Sequence, residues 1–254
     1  MRIILVTICS LIACLIIFWT IKFWGQSLHF VPYNHPIFTL VKQNNEPLIF
    51  VKPSPENLAA VISSSENLYL NVASTLDQKV VLPLKSRINN RKPLRYAMYT
   101  EVASDVVLLA DIKDKLAGRK IIFNLFENAQ AGHAIFFDEL KKLGWEKGEN
   151  LIVTSPYEAM AKALKDIAPT LLYGSTQPEI LRLVAMNSMN LIEAVSFRAD
   201  IVIHPLQIKN QTFYNKDLLA ELVRRHKHII VGPLNAAEIP AARQLNPLGL
   251  IITP

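Results

Sequence analysis

From Ile3 to Ile21 the chain carries no charged residue (IILVTICSLIACLIIFWTI), and only Thr7, Ser10 and Thr20 interrupt its apolar character. At a rise of about 1.5 Å per residue, such a helix covers close to the roughly 30 Å hydrocarbon core of a bilayer. Arg2 precedes the run and Lys22 follows it, while Trp19 and Trp24 suit the headgroup level. This pattern predicts a single-pass transmembrane anchor over residues 1–24, with its amino end in the cytoplasm and the rest of the chain outside. Two other readings stay open. A cleaved signal peptide has a shorter apolar region ending in small residues, whereas this run ends in Phe and Trp. Leu11-Ile12-Ala13-Cys14 resembles a lipoprotein processing site, although Leu15 to Trp19 behind it stay apolar where polar residues are usual.

Residues 25–46 show no periodicity and read as a linker and lead-in. From residue 47 to 254, short apolar runs alternate with helical patterns. The strand candidates are Pro47–Lys52, Asn67–Val72, Lys79–Leu84, Lys120–Phe126, Asn150–Ser155, Thr170–Tyr173, Ala199–His204, His228–Val231 and Leu250–Thr253. Helical spacing covers a segment opened by Ser54-Pro55-Glu56, then Thr100–Leu116, Ala131–Leu143, Tyr157–Ile167, Gln177–Met186, Asn215–His226 and Ala236–Leu245. Gly118 and Gly144 stand where helix stops are expected. Strands that are apolar without alternation are buried on both faces, as in a parallel sheet covered by helices. No Gly-rich phosphate loop follows any strand, which favours a (β/α)8 barrel over an open nucleotide-binding sheet. Nine strand candidates are one too many, so one is accessory.

Composition narrows the chemistry. The chain is 51% hydrophobic and 19% charged, with 27 basic and 21 acidic residues, a balance without the charge concentration of a nucleic-acid binder. Both cysteines, Cys9 and Cys14, lie in the apolar run, so the barrel has neither a disulfide nor a thiolate metal site. Lys85, Arg87, Arg91, Lys92 and Arg95 put five positive charges into eleven residues. This cluster is either a solvated loop or a contact for anionic headgroups.

The order of motifs resembles the glycerophosphodiester phosphodiesterase family of phospholipase-C-like barrels. Its strand ending in His-Arg, followed by a Pro-Glu-Asn turn and a Leu-Ala-Ala helix, is similar to Ile49–Lys52 and Pro55-Glu56-Asn57-Leu58-Ala59-Ala60. The loop between Lys52 and Pro55 is shorter than the family's. Its Glu-Leu-Asp-Val strand resembles Tyr69-Leu70-Asn71-Val72, with Thr75-Leu76-Asp77-Gln78 as the turn and Val80–Leu84 as the strand ending in His-Asp. Phe123–Phe126, Gly232-Pro233-Leu234-Asn235 and Gly249–Thr253 resemble three later strand ends. The resemblance implies a Ca²⁺- or Mg²⁺-assisted reaction with two His as general acid and base. On this sequence the His positions fall on Val51 and Pro83, and the metal-binding carboxylates on Tyr69, Asn71 and Asn124. Hard divalent cations want charged oxygens, and neither Val nor Pro moves a proton. The expectation is therefore a pseudoenzyme that uses no cofactor and no metal.

A barrel's mouth lies at the carboxyl ends of its strands. The binding candidates there are Lys52, Asn71, Asn124, Glu127, Ser155, His204 and Asn235, with Ser175 beside them. They either receive a phosphate-containing ligand or lipid headgroup, or only satisfy loop backbone. The functional expectation is a membrane-anchored, inactive barrel that binds such a ligand or a partner protein. The alternative is an active phosphodiesterase with a site rearranged around Lys52, Glu127 and His204.

Overall fold

The computed structural model describes residues 2–39, 46–64, 67–85, 93–129, 131–208 and 211–253. Eight parallel strands form the barrel: β1 (Leu48–Val51), β2 (Asn67–Ser74), β5 (Ile121–Leu125), β6 (Leu151–Thr154), β7 (Leu172–Tyr173), β8 (Ile201–His204), β11 (His228–Leu234) and β12 (Gly249–Ile252). They neighbour one another in that order, and β12 returns to β1. The ring closes between β7 and β8. There Gly174 bridges Ile201 in parallel, and the Ser175 amide donates to the Ile201 carbonyl at 2.9 Å.

The accessory strand is Lys79–Leu84. Its ordered part, β3 (Val80–Pro83), runs antiparallel to the end of β2 and pairs with β4 (Val106–Leu108). The predicted helix over Thr100–Leu116 is wrong for the same reason. Val106, Val107 and Leu108 are β-branched or apolar and complete this hairpin, leaving only α3 (Tyr99–Val102) and α4 (Lys113–Leu116) helical, with a 3-10 turn at Ala110–Ile112. A second small hairpin, β9 (Gln207–Ile208) with β10 (Gln211–Thr212), stands apart from the barrel after β8.

The remaining helices follow local signals. After α1, residues 36–39 are helical, and α2 (Leu58–Ser63) follows a 3-10 turn capped by Ser54. Helix α5 (Gly132–Leu143) stops at Gly144, whose φ of 75° suits a residue without a Cβ. Helix α6 spans Glu158–Ile167. Thr176 caps α7 (Gln177–Ser188) in a capping box with Glu179, and Asn215 caps α8 (Lys216–Arg224). A short α9 (Ile239–Arg243) precedes β12.

Pleating sends alternate strand residues to opposite faces. Phe50, Ile122, Ile152, Leu172, Ile201, Ile230 and Ile251 fill the barrel interior. Their neighbours Leu70, Phe123, Val153, Val202, Val231 and Leu250 meet the surrounding helices.

The first helix, α1, runs from Arg2 to Ser27, about 39 Å at helical rise, so it continues past the predicted anchor boundary at residue 24. Its stretch Val6–Ser27 is long and apolar enough to cross a membrane. The segment predicted as linker is partly packed structure. Ile37 and Phe38 are buried in the interior cluster, the Phe38 ring centre lies 4.0 Å from that of His228, and the Tyr33 hydroxyl donates to the Thr170 carbonyl at 3.1 Å. This strap lacks helical or strand periodicity and so carries no local signal, yet it plugs the end of the barrel opposite the mouth. Phe38→Ala is expected to lower the unfolding free energy by about 3–5 kcal/mol, measured by denaturant unfolding of the full chain in detergent. A loss near zero would show that the plug does not pack.

Candidate functional site: the barrel mouth

A cleft of about 330 Å³ opens at the carboxyl ends of the strands. Lys52, just past β1, lines it, and its ammonium stands 5.4 Å from the centre of the Tyr69 ring. Tyr69 and Asn71 are two apart on β2 and share a face. Asn71 is in direct register with Asn124 on β5, and the Asn124 side-chain amide donates to Asn71 Oδ1 at 2.8 Å. Burial pushes the Tyr69 phenol up to about 12, so it keeps its proton at neutral pH. Among the described residues lining the cleft there is no carboxylate, and Lys52 is the one charged side chain.

The hydroxyls around the rim are occupied. Ser155 donates to the Leu125 carbonyl at 2.9 Å and accepts from the Tyr157 amide. Ser175 donates to the Ile203 carbonyl at 3.3 Å and accepts from the Ile203 amide at 3.0 Å. Thr154 donates to the Ser175 carbonyl at 3.2 Å. Thr154 and Ser175 tie β6, β7 and β8 together at the mouth, and Ser155 ties β6 to β5. Thr154 was not among the sequence candidates, although it follows Ile152 by two and therefore faces inward. Thr176 and Gln177 also line the cleft; their position at the start of α7 was the available signal.

His204 also borders the cleft. Its ring centre lies 4.3 Å from that of Phe213, and Nδ1 lies 2.9 Å from the Pro205 carbonyl. Burial holds its pKa below the ordinary histidine value. The buried Tyr214 hydroxyl donates to the His204 carbonyl at 3.1 Å. Among the described residues no carboxylate orients the imidazole, as a general base would require.

The binding candidates Glu127 and Asn235 lie outside the cleft lining. The Glu127 carboxylate accepts the Leu94 and Arg95 amides at 2.9 and 3.0 Å and so fastens the hairpin loop, work that only a backbone donor pair reveals. Asn235 is exposed and caps the following turn, accepting from the Ala237 and Glu238 amides. Val51 does not face inward. Phe50 lies in the interior cluster and Lys52 lines the mouth, so pleating turns Val51 to the other face of the sheet and puts Lys52 at the strand-end position. Pro83 lies in the accessory β3. Asp200, the other acid near a strand end, sits at the opposite end of β8, paired with Lys165 at 2.9 Å. Of the basic run, Arg87, Arg91 and Lys92 lie outside the described residues. Lys85 pairs with the buried Asp105, and Arg95 lies over the Tyr96 ring.

Several solved structures share this architecture. A glycerophosphodiester phosphodiesterase from Agrobacterium tumefaciens is similar with a TM-score of 0.59 and 15% identity, over 82% of this chain and 95% of that one. The chain has the glycerophosphodiester phosphodiesterase fold. A second such structure, a putative member from Galdieria sulphuraria, gives a TM-score of 0.60 at 11% identity, over 82% and 94% of the two chains. A phosphodiesterase from Oleispira antarctica, solved with the product sn-glycerol 3-phosphate, gives 0.54 at 13%, over 83% and 94%. No protein-family model and no curated protein matches the chain.

Phosphodiesterases of this fold imply a divalent cation, and the donor set here does not fit one. Two carboxamides hydrogen-bonded to each other, a protonated phenol and a lysine offer no anionic oxygen. Among the described residues no three His, Cys, Asp or Glu come together as a metal site. The depressed His204 pKa has a measurable consequence. The unfolded chain takes up this proton near pH 6.5 and the folded chain only at lower pH, so the contribution to stability is full above about 6.5 and is lost as the pH falls. A titration of the imidazole by NMR should give a midpoint below about 6.5; a higher midpoint would contradict the burial argument.

Proposed function

We propose that this glycerophosphodiester phosphodiesterase-like protein is a membrane-anchored, catalytically silent barrel whose mouth receives a phosphate-bearing ligand. The observation that carries this reading is the hydrogen bond from Asn124, which lines the cleft with Lys52 and Tyr69, to Asn71. Two amides satisfy each other without charge, whereas two carboxylates there would repel unless a cation lay between them. With no anion among the described residues of the lining, Lys52 gives the cleft a positive potential. A lysine ammonium pairs with phosphate as a point charge. The phosphate-product complex of the Oleispira antarctica neighbour supports sn-glycerol 3-phosphate as the first probe. General acid–base catalysis is worth about 10²–10⁴ in rate, and this reading assigns no residue to it. The rearranged hydrolase is disfavoured because Glu127 is committed to the Leu94 and Arg95 amides.

In this reading α1 is the single-pass anchor and holds the barrel outside the cytoplasm; lipidation at Cys14 is the alternative means of attachment. Purified full-length protein in detergent is expected to release no glycerol 3-phosphate from glycerophosphocholine with Ca²⁺ or Mg²⁺. sn-Glycerol 3-phosphate should raise its melting temperature, corresponding to about 2.7 kcal/mol at a hundredfold excess over Kd, and Lys52→Ala should abolish the shift. Metal-dependent turnover lost in His204→Ala would establish the hydrolase instead.

A further inference from the structure

α1 is fastened to one end of the barrel, and that end is the one opposite the mouth. The 3-10 turn Ile192–Ala194 joins α7 to β8, and Arg224 ends α8 before β11, so both lie at the amino-terminal end of the barrel strands. α1 docks on these two elements. A Cβ at Gly25 would fall 2.5 Å from the Glu193 carbonyl carbon, so the two backbones touch and only glycine fits. Lys22 pairs with Glu193 at 3.8 Å. Arg224 donates to the carbonyls of Gly25, Gln26 and Leu28 at 3.1, 3.3 and 2.9 Å, while it also holds the Glu221 carboxylate at 2.7–2.8 Å. The helix end, whose last carbonyls lack helical partners, is thus capped by the barrel itself.

The contact begins at Lys22, directly after the apolar run, so no spacer separates the bilayer from this end of the barrel. Several large apolar residues are exposed around the junction, among polar ones such as Gln26, Asn190 and Asp217. Val31, just past α1, is 89% exposed; Val223 at the end of α8 is 73% exposed; Met189 at the end of α7 is 50% exposed. Trp24 and Phe23 stand beside them on α1, also exposed. Singly these need no explanation, but all border the point where the anchor emerges.

We infer that the barrel rests on its own membrane by this end, with Val31, Met189 and Val223 at the headgroup level and the mouth turned to the aqueous side. The inference rests on the anchor reading of α1 and sharpens the proposed ligand. A phosphate ester reaching Lys52 comes from solution or from another molecule, and not from a lipid of the leaflet in which the protein stands. The competing orientation would use the exposed Leu76, Tyr96 and Met98 near the mouth as the membrane face.

The test uses full-length protein with both native cysteines replaced (Cys9→Ser, Cys14→Ser), reconstituted in vesicles containing lipids with a headgroup quencher. A single fluorophore is attached at Met189→Cys or Val31→Cys on one side, and at Leu76→Cys on the mouth side. Quenching is expected to be several-fold stronger at 189 and 31 than at 76. Arg224→Ala, which frees the helix end, should reduce that contrast while the protein still floats with the vesicles. Flotation with equal quenching at both ends, or stronger quenching at 76, would overturn the orientation alone. Protein left behind on flotation would overturn the anchor reading and the orientation together.

Discussion

β7 contributes only two residues, Leu172 and Tyr173, and closure of the ring of strands depends on the glycine that comes next. At Gly174 an added Cβ would lie 2.6 Å from Ile203 Cδ1 and 2.9 Å from Thr154 Cβ. The absent side chain lets β6, β7 and β8 converge closely enough for the Gly174–Ile201 bridge to close the barrel. Thr154 and Ser175 then spend their hydroxyls on carbonyls across the same seam, while Ser155 joins β6 to β5. Once the ring is closed, pleating decides which residues face the cleft. Tyr69, Asn71 and Asn124 point in, and Val51 does not.

That geometry makes the mouth electrostatically one-sided. A cleft lined by Lys52, neutral amides, hydroxyls and a protonated phenol carries one positive charge and presents only neutral side-chain oxygens. The acids that might have altered this are engaged elsewhere: Glu127 with two loop amides, Glu179 with the amides of Thr176, Arg198 and Ala199, and Asp200 with Lys165 at the far end. Each satisfies a fixed partner in the scaffold.

The barrel itself was legible in the sequence because its strands are short runs rich in Ile, Val, Leu and Phe that alternate with helical patterns. Thr176 with Glu179, Asn215 and Gly144 marked helix ends where helices do start or stop. The extra strand candidate proved to be β3, and the segment read as helix over Thr100–Leu116 hides β4, because three apolar residues in a row fit either period. The packed lead-in was invisible for a different reason. Ile37 and Phe38 are buried by a barrel formed entirely from later residues, and no local pattern announces that. At the site, Lys52, Asn71 and Asn124 could be found by following strand ends. The roles of Glu127 and Asn235 could not, since both depend on backbone amides brought to them by the fold. The docking of α1 through Gly25 and Arg224 depends likewise on residues almost two hundred positions apart.

Asn124 at the mouth, paired with Asn71 and sharing the cleft with Lys52, presents no anionic oxygen to the cation that a phosphodiesterase of this fold would need. Calorimetric titration of the full-length protein with Ca²⁺ and with Mg²⁺ at neutral pH tests this most directly. No saturable heat is expected through the millimolar range. A saturable one-to-one isotherm, lost on Asn71→Ala or Asn124→Ala, would contradict it.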